Sequence, residues 1–324
     1  MIRISLSFEA GASAGSRTRG QFRLTHPCAI IAHASHRAAV TDRRRFLKFT
    51  GAALAAGAVA PRILRALEVH AESDRIERLG IQLYTVRGEM EKNVERTLTR
   101  IAQIGYREVE FAGYFGRSPQ QIRAALDAAG LEAPSAHIGI EDVRSPSWPA
   151  TLEAARVMGH RYLIVAWLEK SDRVSQDSYK AIADSLVAGS ALAAESGITL
   201  GYHNHNFEFT PLDGKTGLQL LLERTAHTSI VFEMDLYWMT NAGQDPLAWF
   251  DAWPGRFPLV HVKDSGPPPK YEMHDVGAGT IDWKRIFRKS REAGIKHYFV
   301  EHDEPGDAFA SAAASYSYLS RLTW

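Results

Sequence analysis

From Leu79 to the C-terminus, the sequence alternates eight short apolar, β-branched or aromatic runs with eight segments of helical periodicity. The runs predict strands at 79–86, 107–111, 133–138, 162–167, 198–202, 230–235, 259–262 and 297–301. The intervening segments predict helices at 93–104, 119–129, 149–158, 177–196, 217–224, 246–253, 282–293 and 306–322. This α/β pattern favours a single (β/α)8 barrel, the TIM barrel, over 72–324. The alternative is a doubly wound sheet, which more usually has five to seven strands and a Gly-rich phosphate loop.

The segment 1–71 is predicted to be an N-terminal extension with an export signal. Thr41-Asp-Arg-Arg-Arg-Phe-Leu-Lys48 precedes a short, small-residue apolar run at 49–60, which is a signal-peptide layout. Arg43-Arg44 with Phe46 and Leu47 resembles the twin-arginine motif, which implies the twin-arginine export machinery as a partner and a periplasmic location. The run is shorter than the ~20 residues of a membrane span, so no stable membrane anchor is expected. An Ala-rich amphipathic helix is the alternative.

Residues 1–40 do not fit upstream of such a signal. They are polar and mixed in character, without helical or strand periodicity. We therefore expect translation to start near Val40, which makes residues 1–40 a mis-assigned start.

The charge distribution argues against a nucleic-acid partner. Residues 1–71 hold 11 of the 38 Lys+Arg and 3 of the 37 Asp+Glu, which leaves 27 basic and 34 acidic residues, a net charge of −7, from Glu72 onward. An acidic body is unsuited to binding a phosphate backbone. The only cysteine is Cys28, so the body has no disulfide and no thiolate site.

Polar side chains gather where four consecutive predicted strands end. Barrel enzymes place their chemistry at the C-terminal ends of the strands, and imidazole with carboxylate ligands suits Mn²⁺, Co²⁺, Mg²⁺ or Zn²⁺. One such divalent ion is therefore expected. The polar groups, in strand order from the fifth to the eighth, are His203 and His205, Glu233 and Asp235, His261 and Lys263, and Glu301 and Asp303.

Strand alternation selects within these groups, because side chains two residues apart share a face. His203 and His205 should point the same way. If Asp235 points into the barrel, Glu233 does as well, while Met234 faces the helices. Asp235, nearer the mouth, is preferred as a ligand, with Glu233 supporting it from below.

Several segments are similar to the xylose-isomerase-like TIM barrel family, which includes sugar isomerases and epimerases and inosose dehydratase. The resemblance covers about 79–324. It rests on Gly80-Ile-Gln-Leu-Tyr84, Gly105-Tyr-Arg-Glu-Val-Glu-Phe111, Tyr202-His-Asn-His205, Glu233-Met-Asp235, Val260-His-Val-Lys-Asp264, Val276-Gly-Ala-Gly-Thr-Ile-Asp-Trp283 and Val300-Glu301.

The resemblance implies one divalent ion held by Glu, Asp, His and Glu from strands five to eight. Asp235, His261 and Glu301 match the last three positions. The strand-five position matches His203, with His205 as the competing assignment, where epimerases of the family carry a glutamate. This departure puts a two-glutamate epimerase mechanism in doubt and looks more like the inosose dehydratase branch.

Other residues at or near the strand ends have candidate roles around the ion. Glu301 is expected as ligand and candidate base, and His205 as a second acid/base group. Lys263 either steadies an oxyanion or pairs with Asp264. His137, Trp167 and Trp238 are candidates to line a sugar pocket, with core packing as the alternative for the two tryptophans.

The sequence thus predicts a metal-dependent sugar isomerase or epimerase that removes a proton α to a carbonyl through a metal-stabilised enediolate. A dehydratase or β-eliminating lyase acting on a keto-sugar or keto-glycoside is the second hypothesis. A non-catalytic sugar-binding barrel is the third. A small-molecule sugar is the expected partner, and homo-oligomerisation is left open.

Overall fold

Eight parallel strands close into a barrel in the computed structural model, which describes residues 74–324. Each strand pairs with its neighbours in the chain, and the last strand pairs with the first. The predicted TIM barrel is therefore confirmed, whereas the predicted extension and twin-arginine signal lie outside the described residues. The strands are β1 (Leu79–Gln82), β2 (Glu108–Phe111), β3 (Glu132–Ile138), β4 (Tyr162–Val165), β5 (Thr199–His203), β6 (Val231–Asp235), β7 (Leu259–Val262) and β8 (His297–Val300).

Helices surround the barrel, with one main helix after each strand. They are α1 (Val94–Ile104), α2 (Pro119–Ala129), α3 (Trp148–Met158), α4 (Gln176–Glu195), α5 (Gly217–Arg224), α6 (Pro246–Ala252), α7 (Trp283–Phe287) and α8 (Ala308–Leu319). Further short helices cover Arg87–Lys92, Ile140–Arg144, Leu236–Asn241 and Ser290–Ala293. Within residues 74–324, no helix has both the length and the hydropathy to cross a bilayer.

Helix-capping signals in the sequence act as expected at α2. Ser118 and Gln121 form a reciprocal capping box, Pro119 lies in the first turn, and Gly130 ends the helix with φ 66°.

The helix predicted over 282–293 is divided after Phe287. There Ser290 Oγ donates to the Phe287 carbonyl at 2.6 Å, a side-chain bond that competes with continued helix.

The first strand is shorter than predicted and ends at Gln82. The Gln82 side chain accepts a hydrogen bond from the Tyr84 backbone N–H at 3.1 Å and starts a 3₁₀ turn over Leu83–Val86. The apolar run therefore continues past the strand, although its second half is helical. Periodicity does not separate the two in so short a run.

An apolar layer fills the middle of the barrel. Ile164, Leu259 and Phe299 are fully buried and pack together. Gly80 and Gly201 leave room for this layer, since an added Cβ would lie 2.5 Å from Phe299 Cδ1 at the first site and 2.6 Å from Ile164 Cδ1 at the second. Above this layer, towards the C-terminal strand ends, the interior is polar.

Candidate functional site

Four side chains from β5 to β8 converge at the mouth of the barrel. His203 ends β5, Asp235 ends β6, His261 lies in β7 and Glu301 directly follows β8, and all four are buried. His261 Nδ1 lies 2.7 Å from Glu301 Oε2 and 3.9 Å from Asp235 Oδ2. His203 Nε2 lies 3.7 Å from the same Asp235 oxygen. The structure thus brings together the four residues predicted as metal ligands.

Each of the two histidines is held from behind by a buried glutamate. His203 Nδ1 donates to Glu233 Oε2 at 3.0 Å, and His261 Nε2 donates to Glu110 Oε2 at 2.6 Å. A carboxylate on one ring nitrogen fixes the ring and directs the other nitrogen forward, as at many metal-binding histidines. The supporting role expected for Glu233 agrees with this geometry.

His137 lies in this rear layer rather than at the rim of the mouth. Its Nε2 is 2.8 Å from Glu233 Oε2 and 3.2 Å from Glu110 Oε2, and 9% of its side chain is exposed. Gln82 Nε2 and Ser135 Oγ donate to the two oxygens of Glu110. Glu110 was not predicted as a site residue, although a glutamate between Val109 and Phe111 in a buried strand is a signal for one.

The glutamates and histidines of the rear layer shift one another's pKa values. Burial opposes ionisation of Glu233, and so does Glu110, but the nearby His261 and His137 hold the pKa of Glu233 at about 2. Burial also disfavours the charged form of His137, yet the two glutamates raise its pKa to about 9. In front, burial raises the pKa of Asp235 to about 6, against the opposing effect of Lys263.

The donor set fits a divalent ion. Two overlapping groups have ligand atoms within 4.8 Å of one another: His137, His203, Glu233 and His261, and in front of them Asp235, His261 and Glu301. The rear group is joined by close hydrogen bonds, whereas Asp235 Oδ2 is buried and, apart from the ammonium of Lys263 at 3.0 Å, has no polar partner. A buried carboxylate oxygen that faces two imidazole nitrogens is a place for a cation. The front group, together with His203, therefore fits better.

Lys263 supplies positive charge at the front of the site. Its Nζ lies 2.7 Å from Glu301 Oε2, 2.9 Å from Asp303 Oδ1 and 3.0 Å from Asp235 Oδ2. The alternative that Lys263 pairs with Asp264 is wrong.

Asp264 faces the β7–α7 connection and not the barrel mouth. Its carboxylate accepts from the backbone N–H of Gly277 at 2.8 Å and from Trp283 Nε1 at 3.0 Å. An aspartate that holds the connecting loop in this way has its carboxylate oxygens occupied.

His205 stands at the rim among aromatic side chains. Its ring meets His203 edge to face at 4.9 Å and Trp167 at 5.1 Å, stacks on Phe207 at 5.5 Å, and lies 5.5 Å from Trp238. The two rings lie side by side as expected, although His205 is two residues beyond the end of β5. His205 Nδ1 and Trp238 Nε1 are both buried without a hydrogen-bond partner.

The surroundings of His205 favour the neutral form of its imidazole. Burial lowers the pKa of His205 well below its usual value, and the charge of Lys263 adds to this effect. A neutral ring with a free nitrogen is able to accept a proton.

Glu208 is a buried carboxyl group that sequence reasoning left without a role. It accepts from Tyr202 Oη at 2.6 Å and from the His205 backbone N–H at 2.8 Å. Burial raises its pKa to about 7 despite these hydrogen bonds. Glu208 thereby fixes the backbone of His205. Its position in an aromatic-rich loop after β5 carried no periodic signal.

A cavity of about 260 Å³ opens beside β8. Met273, His274, His302 and Asp307 are among its lining residues, and none of the four predicted ligands is. The cavity is therefore separate from the cluster at the barrel mouth.

Comparison with known sequences agrees with the fold. The sequence profile of the xylose isomerase-like TIM barrel family matches residues 98–319. An inosose dehydratase from Geobacillus kaustophilus is 24% identical over 279 residues, which cover 70% of this chain and 87% of that protein. An inosose dehydratase from Lacticaseibacillus casei is 22% identical over 258 residues, which cover 68% of this chain and 85% of that protein.

Solved structures share the barrel. A sugar phosphate isomerase/epimerase from Parabacteroides distasonis has a TM-score of 0.67 at 25% identity, covering 79% of this chain and 97% of that one. The IolI protein with a bound zinc atom has a TM-score of 0.60 at 13% identity, covering 74% and 95%. The 3-keto-D-glucoside 4-epimerase from E. coli has a TM-score of 0.58 at 16% identity, covering 76% and 99%. The last two likenesses, at low identity, concern the fold alone.

Proposed function

Because the chain belongs to the xylose isomerase-like TIM barrel family, we propose that it is a metal-dependent enzyme that removes a proton α to the carbonyl of a sugar-type substrate. Isomerisation by a single base is the reaction that the site supports best. The observation that carries the proposal is the position of His205, whose buried, unpaired Nδ1 lies beside the four converging ligands.

His203, Asp235, His261 and Glu301 are the residues that would hold the ion. When bound there, a divalent ion supplies Lewis acidity towards a carbonyl and its neighbouring hydroxyl. Glu233 and Glu110 keep the two imidazoles in their orientation through the hydrogen bonds described above.

His205 is the proposed base. Its ring is fixed on one side by Phe207 and through its backbone by Glu208. Lys263 is the proposed donor to the carbonyl oxygen as negative charge develops on it, since an ammonium held in a buried site stabilises such charge. The proton that His205 takes from the hydroxyl-bearing carbon is returned to the former carbonyl carbon, while the hydroxyl proton moves to the former carbonyl oxygen, which completes an isomerisation.

Glu301 is less suited to be a second base. Burial raises its pKa, but Lys263 and His261 outweigh burial and lower the pKa of Glu301 well below its usual range. A weak base held in two close contacts is a poor proton acceptor. This argues against epimerisation with two bases on opposite faces of the substrate.

β-Elimination is the second candidate reaction. It is favoured by the histidine at the end of β5 and by the inosose dehydratases among the relatives. Both reactions begin with proton removal by His205. They differ in the next step, because isomerisation returns the proton to the neighbouring carbon whereas elimination expels a β-substituent.

The test incubates Mn²⁺-loaded enzyme with ketoses, inososes and 3-keto-glycosides in D₂O, followed by NMR. We expect deuterium at the carbon α to the carbonyl in at least one substrate, and much slower exchange with His205→Ala than with His227→Ala, a histidine outside the site. An isomeric product supports isomerisation, and loss of a β-substituent supports elimination. Absence of exchange across the panel would contradict the proposal and favour a sugar-binding barrel.

We also propose twin-arginine export to the periplasm, supported by Arg43-Arg44 ahead of a short apolar run. A fusion of residues 40–73 to a reporter should be exported, and Arg43→Lys with Arg44→Lys should block it. Export of the double-lysine fusion at the full rate would contradict this route.

A further inference from the structure

The aromatic rim continues outward past His205. Trp167 is 39% exposed, one of three large apolar side chains with substantial exposure in residues 74–324. Its ring meets His205 at 5.1 Å and Phe207 at 5.3 Å, both edge to face. From His261 through His203 and His205 to Trp167, successive rings are 4.6, 4.9 and 5.1 Å apart. A continuous line of rings therefore leads from the buried cluster to solvent.

A guanidinium group lies on this outer part of the rim. Arg173 Cζ lies 3.6 Å from the centre of the Phe207 ring and 5.0 Å from that of Trp167. Arg173 forms no ion pair or side-chain hydrogen bond with any residue in 74–324, whereas nearby Arg144 contacts Ser185 and Asp172. Stacking fixes the plane of the Arg173 group and leaves its N–H donors free for a ligand.

Two further polar atoms at the rim lack partners although they are buried. His205 Nδ1 and Trp238 Nε1 lie on the inner side of the same aromatic group. Buried polar atoms are normally hydrogen-bonded, so two unpaired ones side by side at the rim of the site mark a place for the polar groups of a ligand. A hydroxyl-rich ligand satisfies both, because a hydroxyl donates as well as accepts.

We propose that Trp167, Phe207 and Arg173 form an outer subsite for a second sugar ring. The reacting ring would lie over His205 and Trp238, and the non-reacting ring of a neutral disaccharide or glycoside would stack on Trp167 and accept hydrogen bonds from Arg173. An indole face suits the apolar face of a pyranose, and a guanidinium without a carboxylate partner suits hydroxyl groups. This inference rests on the proposed function and names its substrate class as glycosides.

The test measures binding of unreactive sugars to the Mn²⁺-loaded protein by calorimetry and saturation-transfer NMR. The probes are methyl β-glucoside, cellobiose, maltose and glucose 6-phosphate. We expect at least one disaccharide to bind at least tenfold more tightly than methyl β-glucoside. Trp167→Ala should weaken disaccharide binding at least tenfold more than methyl glucoside binding.

Arg173→Met, which keeps the aliphatic part of the side chain, should also weaken disaccharide binding more than methyl glucoside binding. Leu192→Ala and Arg291→Ala are matched controls on exposed helix surfaces and should leave all affinities within twofold. Equal affinity for disaccharide and methyl glucoside would overturn the outer subsite while leaving the proton-transfer function intact. Tightest binding of glucose 6-phosphate, lost in Arg173→Met, would overturn it in favour of an anion site. If no sugar binds and no exchange occurs in D₂O, both proposals fail together.

Discussion

Glu233 accepts a hydrogen bond from Nδ1 of His203 at 3.0 Å, and His203 therefore presents Nε2 to the barrel mouth. The same oxygen of Glu233 is 3.1 Å from His261 Nε2. The buried carboxylate of Glu233 thus contacts the imidazole rings of both His203 and His261. Such supporting groups influence metal affinity without contacting the ion.

Glu233→Gln should lower divalent-metal affinity about 10- to 100-fold while the barrel stays folded. The neutral amide accepts a weaker hydrogen bond and leaves the imidazole less firmly oriented. Competition against a fluorescent chelator measures the affinity, with exposed Glu91→Gln as control. Equal affinity in both variants would show that Glu233 does not orient the site.

Lys263→Met should destabilise the metal-free protein by about 3 kcal/mol or more. It removes the ammonium that lies within 3.0 Å of Asp235, Glu301 and Asp303, and breaking a buried ion pair leaves uncompensated charge. Because a bound divalent ion replaces that positive charge, Mn²⁺ should raise the melting temperature of the variant more than that of wild type.

The control is Lys180→Met. The ammonium of Lys180 pairs with exposed Asp177 at 2.9 Å, and its removal should lower the free energy of unfolding by less than about 1 kcal/mol. A similar small loss for both lysine variants, with no difference in the Mn²⁺ effect, would contradict the role of Lys263.

Because of Glu208, the free energy of unfolding should fall as pH rises from about 4.5 to about 7. The first value is the ordinary pKa of this carboxyl group and the second is its pKa when buried. Over this window the folded protein binds more protons than the unfolded chain, so each step up in pH favours unfolding. Glu208→Gln removes this slope, and the stability of the variant relative to wild type should rise by up to about 3 kcal/mol across the window.

Urea titrations at several pH values measure that slope, with Glu91→Gln as control. The comparison uses the change of stability with pH, because an amide has one accepting oxygen where the carboxylate has two, which alters the hydrogen bonds with Tyr202 and the His205 backbone at every pH. A slope identical to that of wild type would place the Glu208 pKa near its ordinary value.

Gly80→Ala should destabilise the barrel by about 1–3 kcal/mol. The new Cβ would lie 2.5 Å from Phe299 Cδ1 in the fully buried central layer. Thermal unfolding measures the loss, and Phe299→Leu in the same chain should recover part of it. Gly88→Ala, where nothing lies within 4 Å in a short helix, should be neutral or slightly stabilising.

The periodic pattern predicted all eight barrel strands because buried parallel strands and amphipathic helices differ in length and repeat. It failed where a side chain diverts the backbone, as Gln82 does at the end of β1 and Ser290 does after α7. Such local hydrogen bonds leave no periodic trace.

The four strand-end ligands were predictable because parallel strands bring their C-terminal ends to one rim. The carboxylates behind them were harder to predict. Glu110 comes from β2, across the barrel from β7, and contacts His261 151 residues later in the chain. Strand alternation gives the face of a side chain, but only closure of the barrel gives its partner across the interior.

The most direct test of the account is anomalous diffraction from crystals of the Mn²⁺-loaded protein, recorded on both sides of the manganese absorption edge. We predict one strong peak per chain in contact with His203, Asp235, His261 and Glu301, and its loss in crystals of His261→Ala. A peak among His137, Glu233 and Glu110 instead, or no peak at saturating Mn²⁺, would contradict the assignment of the metal site and the mechanism built on it.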